Sequence, residues 1–369
     1  MKWTFRWYGK DDPITLDHIR QIPDMYGVVG TLTDKLPGDL WTYEEVKELK
    51  DLAEAKGLKL VGIESVAAHD AIKAGTADRD KYIDIYKESV KNLGKNGVEV
   101  ICYSFKPIFG WAKTNLAYEL ADGSTTLEYD QKIIDSIDPD DMFSLVSGQT
   151  KGFSLSGWEP ERLNKFKSLE DMYKGITREK LFDNLVYFLK EVIPVCEEAG
   201  VKMAIHPDDP PYEMFNYPRI TKNKEDILKI MEAVDSPYNG VALRKGSIGA
   251  NPDNDLVELI HALKGRINFV HLRNVEIFEP GHFIESAHKS SQGSLDMYAI
   301  MKALNDTGFD GLARPDHGRT IWEEKARPGY GLYDRALGMS YLQGLDEAIK
   351  KSNAEYDEYV LRNSGRMYD

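Results

Sequence analysis

Three side chains of the kind that bind divalent metals stand at the ends of β-rich runs. His206 follows "VKMAI", His271 lies in "INFVHLR", and Asp316 follows "GLARP". Two imidazoles and a carboxylate suit Mn²⁺, Fe²⁺ or Zn²⁺. If these runs are parallel strands of one barrel, the three side chains meet at its mouth and can share an ion. For each residue alone, a packed histidine or a helix-capping aspartate is the alternative.

Cationic and polar side chains occupy similar positions along the chain. The candidates for binding a substrate are Arg6, Tyr8, Glu64, His69, Arg273 and Arg319. Arg273 follows His271 by two residues and therefore points to the same face if the strand continues. Because guanidinium groups bind carboxylates in a bidentate manner, several arginines near one metal indicate a substrate that carries a carboxylate.

The elements that must position these residues alternate along the chain. Eight β-rich runs are separated mostly by helical patterns, several of which end at a glycine, as left-handed helix ends require. The runs span 3–8, 27–32, 58–65, 98–104, 201–207, 240–244, 267–273 and 311–316. Eight strands joined by right-handed helical crossovers predict an α/β fold, a (β/α)₈ TIM barrel. An open doubly wound sheet is the alternative, but no glycine-rich phosphate motif follows the first strand.

One connection is too long and too aromatic for an ordinary loop. Residues 105–178 are rich in Trp, Tyr, Gly and Asp, and we interpret them as an insertion after the fourth strand, over the barrel mouth. We expect this insertion to act as a lid, as a subunit contact or as both. The prediction is therefore a single barrel domain over 1–369, with a polar C-terminal tail at 352–369 that is either loose or docked on a partner.

Composition excludes several classes of protein. The chain has 369 residues and a formal net charge of −14, which argues against nucleic acid as a partner. It contains no run of 18 apolar residues, and its first ten residues lack the apolar core of a signal peptide. We therefore expect a cytoplasmic protein without membrane contact. Cys102 and Cys196 are predicted to be buried thiols rather than a disulfide.

Long motifs show a resemblance to a known family. The sequence resembles the mannonate dehydratases of the UxuA type along nearly its whole length. The motifs that carry the resemblance are "FRWYG" (5–9), "IPDMYGVVGTL" (22–32), "GIESV" (62–66), "HDAIKAG" (69–75), "CYSFKPIFGWAKT" (102–114), "IHPDDPP" (205–211), "INFVHLRNV" (267–275), "RPDHGR" (314–319) and "PGYGLYDRALG" (328–338).

The resemblance implies a fold, a reaction and a set of site residues. The fold is a xylose-isomerase-like TIM barrel, expected here as a homodimer. The reaction is dehydration of D-mannonate to 2-keto-3-deoxy-D-gluconate in hexuronate (glucuronate) breakdown, with Mn²⁺ or Fe²⁺ as cofactor. The implied metal ligands are His206, His271 and Asp316. His317 and Tyr330 are implied to transfer protons, because C2 must lose a proton and the C3 hydroxide needs an acid to leave. Which of the two is acid and which is base stays open.

The sequence departs from the family at one position of the predicted site. Where the family pattern is "CTGS", whose cysteine supplies a further metal ligand, this chain has Arg244, Lys245, Gly246 and Ser247. Arginine stays protonated and has no lone pair to donate. A cation at this place also repels a metal. We expect either weaker metal binding or a guanidinium that binds the substrate carboxylate.

Three functions remain open from the sequence. The first is a working dehydratase acting on mannonate or a related sugar acid. The second is a catalytically impaired paralogue that binds sugar acids, since Arg244 replaces the expected cysteine. The third is a sugar isomerase or epimerase of the same barrel superfamily, which would use similar ligands.

Overall fold

The described residues close into an eight-stranded parallel barrel. A computed structural model describes residues 1–150, 152–153 and 166–364. The barrel strands are β1 (Lys2–Arg6), β2 (Gly27–Gly30), β3 (Lys59–Glu64), β4 (Val100–Tyr103), β7 (Lys202–Ile205), β8 (Asn239–Arg244), β9 (Ile267–Leu272) and β12 (Leu312–Pro315). Their order around the barrel is β1-β12-β9-β8-β7-β4-β3-β2. The eight predicted strands are confirmed, with ends that differ from the predicted ones by at most two residues; β1 and β8 begin one residue earlier than predicted.

Closure excludes the open doubly wound sheet. The first strand pairs in parallel with the last, through Lys2 with Leu312 and Trp3 with Ala313. Side chains from all eight strands are buried on both faces, inside the barrel and against the helices. This double burial explains why the strands are largely apolar runs rather than alternating patterns.

Helices surround the barrel and follow the predicted rhythm. Those in the described residues are α1 (Leu16–Ile19), α2 (Tyr43–Glu54), α3 (Asp70–Ala74), α4 (Arg79–Lys95), α5 (Gln131–Ser136), α6 (Pro139–Ser147), α7 (Phe166–Tyr173), α8 (Arg178–Ala199), α9 (Lys224–Ala233), α10 (Lys245–Ile248), α11 (Leu256–Ala262), α12 (Met297–Asp306) and α13 (Tyr333–Ser364). Thr42 caps α2 in a capping box with Glu45. Gly200 ends α8 in the left-handed conformation, as the glycine stop predicts.

A second, antiparallel sheet lies outside the barrel and was not predicted. Its strands are β5 (Asn115–Glu119), β6 (Thr125–Asp130), β10 (Asn274–Glu279) and β11 (His282–Ser286). Their order is β10-β11-β6-β5. The hairpin after β4 therefore pairs with the hairpin after β9, for example through Tyr129 with Phe283. Two connections on the same side of the barrel are thus joined.

The insertion and the tail are both more regular than the sequence indicated. Residues 105–178 contain β5, β6, α5, α6 and α7, although 151 and 154–165 lie outside the described residues. The tail predicted from 352 continues α13 as far as Ser364. Both cysteines are free and buried, as predicted. In the described part of the chain, no helix is both long and apolar enough to span a membrane.

Candidate active site

A cavity of about 370 Å³ opens where the barrel strands end at their carboxyl termini. Loops at this face hold the active sites of TIM-barrel enzymes. Side chains of the cavity wall include Tyr8, Glu64, Cys102, Lys106, Trp111, His206, Arg244 and Tyr330. The wall combines basic, acidic and aromatic groups, which suits a small polar anion.

The three predicted metal ligands come to this end of the barrel. His206 directly follows β7, His271 lies near the end of β9, and Asp316 directly follows β12. They are 8%, 0% and 0% exposed, and the ring centroids of the two histidines are 6.1 Å apart. The space between His206 and Asp316 is filled by a fourth side chain, that of Arg244.

Arg244 contacts most of the residues predicted for metal binding and catalysis. It is the last residue of β8 and pairs in register with His271. Its Nε donates to Oδ2 of Asp316 at 2.6 Å, and its Nη1 donates to Nε2 of His206. Its Nη2 donates to Nε2 of His317 at 2.9 Å. The guanidinium therefore bridges three polar groups on two different loops, the one after β7 and the one after β12.

Asp316 accepts hydrogen bonds from three guanidinium groups. Besides Arg244, Nη1 of Arg314 lies 3.0 Å from Oδ1 and Nη1 of Arg273 lies 3.2 Å from Oδ2. Burial opposes ionisation, but Arg244, His317 and Arg314 hold the pKa of Asp316 well below its usual 3.8. Asp316 is therefore a carboxylate with both oxygens occupied. Arg273, predicted to bind substrate, is fully buried and lies behind the described cavity wall.

A chain of hydrogen bonds links Glu285, His317 and Tyr330. Both carboxylate oxygens of Glu285 lie 2.9 Å from Nδ1 of His317. A carboxylate only accepts, so Nδ1 carries the hydrogen and Nε2 carries the lone pair. The Tyr330 hydroxyl donates to this Nε2 at 3.0 Å. Burial raises the pKa of Tyr330 well above 10 and lowers the pKa of His317 below 6.5. The two predicted proton-transfer residues are thus in direct contact.

One group of described residues has the spacing of a metal site, and it differs from the predicted set. The ligand atoms of Glu64, Cys102 and His271 all lie within 4.8 Å of one another. Glu64 and Cys102 are register partners on β3 and β4. However, Glu64 already accepts from Nη2 of Arg314 at 2.8 Å, and burial raises the pKa of the Cys102 thiol well above 9. An ion here would have to deprotonate the thiol and compete with a buried ion pair.

Two of the predicted substrate-binding residues lie in the cavity wall, and Arg6, like Arg273, lies behind it. Tyr8 and Glu64 line the cavity. Arg6 is 2% exposed, stacks over the Tyr8 ring with its guanidinium 4.2 Å from the centroid, and donates to the backbone oxygen of Glu64. Arg6 therefore holds both cavity residues in place.

Two other predicted substrate-binding residues lie elsewhere. His69 is the N-cap of α3 and stacks on Tyr82 with ring centroids 3.5 Å apart. Arg319 pairs with Asp334 at 2.9 Å and lines a separate cavity beside the β5–β6 hairpin. His69 therefore caps a helix, and Arg319 anchors a loop.

Several site residues were missed in the sequence. Lys106 and Trp111 line the cavity, and Nζ of Lys106 lies 2.7 Å from Nδ1 of His206. Burial lowers the pKa of Lys106 to about 7. The available signal was the basic and aromatic run "FKPIFGW" directly after β4, where barrel enzymes place active-site loops.

Asp209, in the "HPDDPP" loop, is a further residue of the site. It is fully buried and pairs with Lys113 at 2.9 Å, with Arg244 at 3.2 Å and with Arg273 at 3.3 Å. The sequence signal for a role of Asp209 in the site is its position close to His206. The site therefore contains a buried network of arginine, lysine and carboxylate groups behind the cavity.

The predicted ligand set does not fit a divalent metal in this arrangement. His206 and Asp316 offer their ligand atoms to Arg244, which is permanently protonated. A metal between them would lie against this guanidinium. The catalytic steps are therefore assigned to side chains of this chain and not to a metal.

Comparison with known proteins identifies the family. The family model described as D-mannonate dehydratase (UxuA) matches residues 1–356. A mannonate dehydratase of Enterococcus faecalis is 59% identical over 351 residues, which cover 95% of this chain and 98% of that protein.

Solved structures agree at the level of the fold and of the family. The crystal structure of mannonate dehydratase from Streptococcus suis has a TM-score of 0.87, with 42% identity and 96% of each chain covered. A D-psicose 3-epimerase from Clostridium cellulolyticum has a TM-score of 0.55 at 14% identity, covering 98% of this chain and 99% of its own, and shares the fold alone. Since the match spans almost the whole chain at high identity, the protein belongs to the D-mannonate dehydratase (UxuA) family.

Proposed function

We propose that this protein catalyses the dehydration of D-mannonate to 2-keto-3-deoxy-D-gluconate. The observation that carries the proposal is the hydrogen-bonded chain from Glu285 through His317 to Tyr330, which ends in the wall of the cavity. The relatives named as mannonate dehydratases support the choice of substrate. We place the reaction in hexuronate breakdown and expect a homodimer, both on the strength of the family.

The reaction requires one proton to leave C2 and another to reach the C3 hydroxyl. The C2–H electron pair forms the C2=C3 double bond as the C3–O bond breaks and water leaves. The resulting enol then takes up a proton at C3 and loses the proton of its C2 hydroxyl, which gives the 2-keto product. A group that both gives and takes a proton near C2 and C3 can catalyse both transfers.

Tyr330 is the residue that we assign to this exchange. It lies in the cavity wall and is protonated at neutral pH, because burial raises the pKa of its phenol. Its hydroxyl gives a proton to the departing C3 hydroxyl, and the phenolate takes the C2 proton. Arg244 and Arg314 favour the phenolate, since both lower the pKa of this phenol against the effect of burial.

His317 is a positioning residue in this scheme. Its Nε2 lone pair accepts from the Tyr330 hydroxyl, and Glu285 fixes the tautomer through Nδ1. A cationic His317 is disfavoured because Arg244 lies 2.9 Å from Nε2. The neutral imidazole therefore orients the phenol rather than storing a proton.

Cationic side chains of the wall suit the carboxylate of the substrate. Arg244, Arg327 and Lys106 all line the cavity. Guanidinium groups bind carboxylates and also stabilise the enediolate charge that develops when C2 loses its proton. The net charge of −14 makes such a local basic wall necessary for an anionic substrate.

A second function is favoured by one observation. Arg244 occupies the space between the predicted metal ligands, which suits a protein that binds sugar acids without turning them over. The isomerase or epimerase alternative has only the shared fold in its favour.

Turnover decides between these functions. The purified protein would be incubated with D-mannonate, with and without Mn²⁺ or Fe²⁺, and formation of the 2-keto-3-deoxy acid would be followed. Product formation that is lost in Tyr330→Phe is the expected result. Binding of D-mannonate without any product under all three conditions would favour the binder and reject the dehydratase.

A further inference from the structure

We propose that the Arg244 guanidinium is a built-in cation at the predicted metal position, so that the site binds the carboxylate of a sugar acid without a divalent ion. The binding part of this proposal rests on the site alone. Its use in turnover rests on the proposed dehydratase function.

The lone pair that His206 would offer to a metal is already used. Nδ1 of His206 lies 2.7 Å from the carbonyl oxygen of Pro207, which can only accept. Nζ of Lys106 lies at the same distance from Nδ1, so the tautomer is fixed at the other nitrogen: Nη1 of Arg244 can only donate, which places the lone pair on Nε2 and the ring hydrogen on Nδ1. That Nε2 accepts from Nη1 of Arg244. A metal would have to displace a charged donor from this nitrogen.

The guanidinium is held on several sides. Its Nε is 2.6 Å from Asp316, its Nη1 is 3.2 Å from Asp209, and its Nη2 is 2.9 Å from His317. The side chain is 3% exposed and starts from the last residue of β8, whose backbone is paired with β9. Moving it away would remove one charged donor from each of these three buried partners, which is costly.

The buried ion pairs leave no excess of negative charge for a metal to neutralise. Four carboxylates are paired with four arginines and one lysine. The carboxylates are Glu64, Asp209, Glu285 and Asp316, and the cations are Arg6, Lys113, Arg244, Arg273 and Arg314. The arginines alone match the carboxylates one for one. A divalent ion would add to the excess of one positive charge in these buried pairs, whereas the carboxylate of a sugar acid would offset it.

Part of the Arg244 side chain also faces the cavity, where a substrate can reach it. It lines the cavity together with Lys106, although most of its surface is covered. In a barrel that binds sugar acids, a cation at this place can hold the carboxylate and its enediolate form, as a metal otherwise does. The proposal therefore explains both the loss of a ligand and the retention of the surrounding side chains.

Metal content and carboxylate binding test the proposal directly. The purified full chain would be incubated with Mn²⁺, Fe²⁺ or Zn²⁺ in turn, passed through a desalting column, and analysed for bound metal by mass spectrometry. Binding of D-mannonate would be measured by calorimetry with and without EDTA. We expect far less than one ion per chain and the same affinity in EDTA.

Substitutions at Arg244 test whether this side chain excludes the metal and binds the carboxylate. Arg244→Cys should retain a metal ion that the unaltered protein does not. Arg244→Lys keeps a cation and should stay free of metal. Arg244→Gln should weaken D-mannonate binding by about 10- to 100-fold, the value of a charged hydrogen bond. Thermal unfolding checks that each variant is folded, and the measurements on the unaltered protein stand if a variant is not.

The opposite results overturn the proposal. One ion per chain, removed by EDTA together with D-mannonate binding, would show that Arg244 does not replace the metal. If that ion is lost in Cys102→Ser, the group of Glu64, Cys102 and His271 is the metal site. Metal-free binding without turnover leaves the Arg244 proposal intact and rejects the dehydratase. Turnover that requires a metal rejects the Arg244 proposal and leaves the dehydratase.

Discussion

Arg244 and Tyr330 donate to the same lone pair, on Nε2 of His317, at 2.9 and 3.0 Å. One cation and one phenol therefore share a single acceptor at the edge of the cavity. The positive charge of Arg244 disfavours protonation of the His317 imidazole and favours ionisation of the Tyr330 phenol. On this arrangement we base the different roles proposed for His317 and Tyr330, which the sequence alone left open.

Replacing Tyr330 by phenylalanine should remove most of the activity. The substitution leaves the ring in place and deletes the hydroxyl that we propose to exchange protons with C2 and with the C3 hydroxyl. A lost general acid–base group lowers kcat by about 10²- to 10⁴-fold. Steady-state kinetics with D-mannonate would measure the loss. Tyr212→Phe is the matched control, because its hydroxyl donates to the Ala250 carbonyl away from the catalytic chain; equal losses in the two variants would contradict the assignment.

Replacing Glu285 by glutamine should lower kcat while leaving KM nearly unchanged. The amide can no longer hold Nδ1–H of His317 with two equivalent oxygens, so the lone pair on Nε2 is less well oriented toward Tyr330. The kinetic effect should be smaller than that of Tyr330→Phe. A Glu285→Gln variant with a raised KM and an unchanged kcat would show that Glu285 affects binding instead.

The barrel was predictable from the sequence because its signals are local. Each strand is a short apolar run, and each glycine stop, such as Gly200, ends one helix. The second sheet was not predicted, because it pairs residues 125–130 with residues 282–286, and neither segment carries a sequence signal for the other. Glu285 was missed for the same reason, since it belongs to that sheet.

The candidate site was predictable as a list of residues but not as a set of contacts. The sequence placed Arg244 at the barrel mouth, and the structure has it there at the end of β8. Its bonds to Asp209, Asp316 and His317 depend on how a long side chain crosses the barrel. His69, a histidine near a strand end, makes a helix-capping contact that its position in the sequence did not indicate.

Replacing Asp316 by asparagine should destabilise the fold strongly. Arg244, Arg273 and Arg314 would lose the charge that they share, while they remain buried. Removing one partner of a buried ion pair costs about 3–5 kcal/mol. Chemical denaturation would measure the change in unfolding free energy. Asp122→Asn, at an exposed pair with Arg319, is the control and should change stability little. A neutral effect of Asp316→Asn would mean that the arginines are not held by this carboxylate.

Gly246 should not tolerate a side chain. A Cβ at this position would lie 2.1 Å from Nε of Arg273, whose Nη2 donates to the Gly246 carbonyl at 2.9 Å. Gly246→Ala would therefore push Arg273 away from Asp209 and Asp316 and should lower both stability and activity. Gly97→Ser tests a glycine beside open space and is expected to cost only the strain of its positive φ. Equal melting temperatures for Gly246→Ala and the unaltered protein would show that Arg273 can move freely.

Replacing Lys245 by methionine should stabilise the protein. The side chain is fully buried, and in the described residues its Nζ has no hydrogen-bond partner. Burial lowers its pKa far below 10.5, so the unfolded chain holds one proton that the folded chain releases. Stability therefore rises with pH between the lowered pKa and about 10.4, and the lysine costs most at low pH. Lys245→Met should gain at least about 1–3 kcal/mol, the cost of an unpaired buried polar group, and its advantage should shrink as pH rises. Unfolding measured at several pH values, with the exposed Lys95→Met as control, checks both statements; a pH-independent difference would show that Lys245 keeps its proton in the folded state.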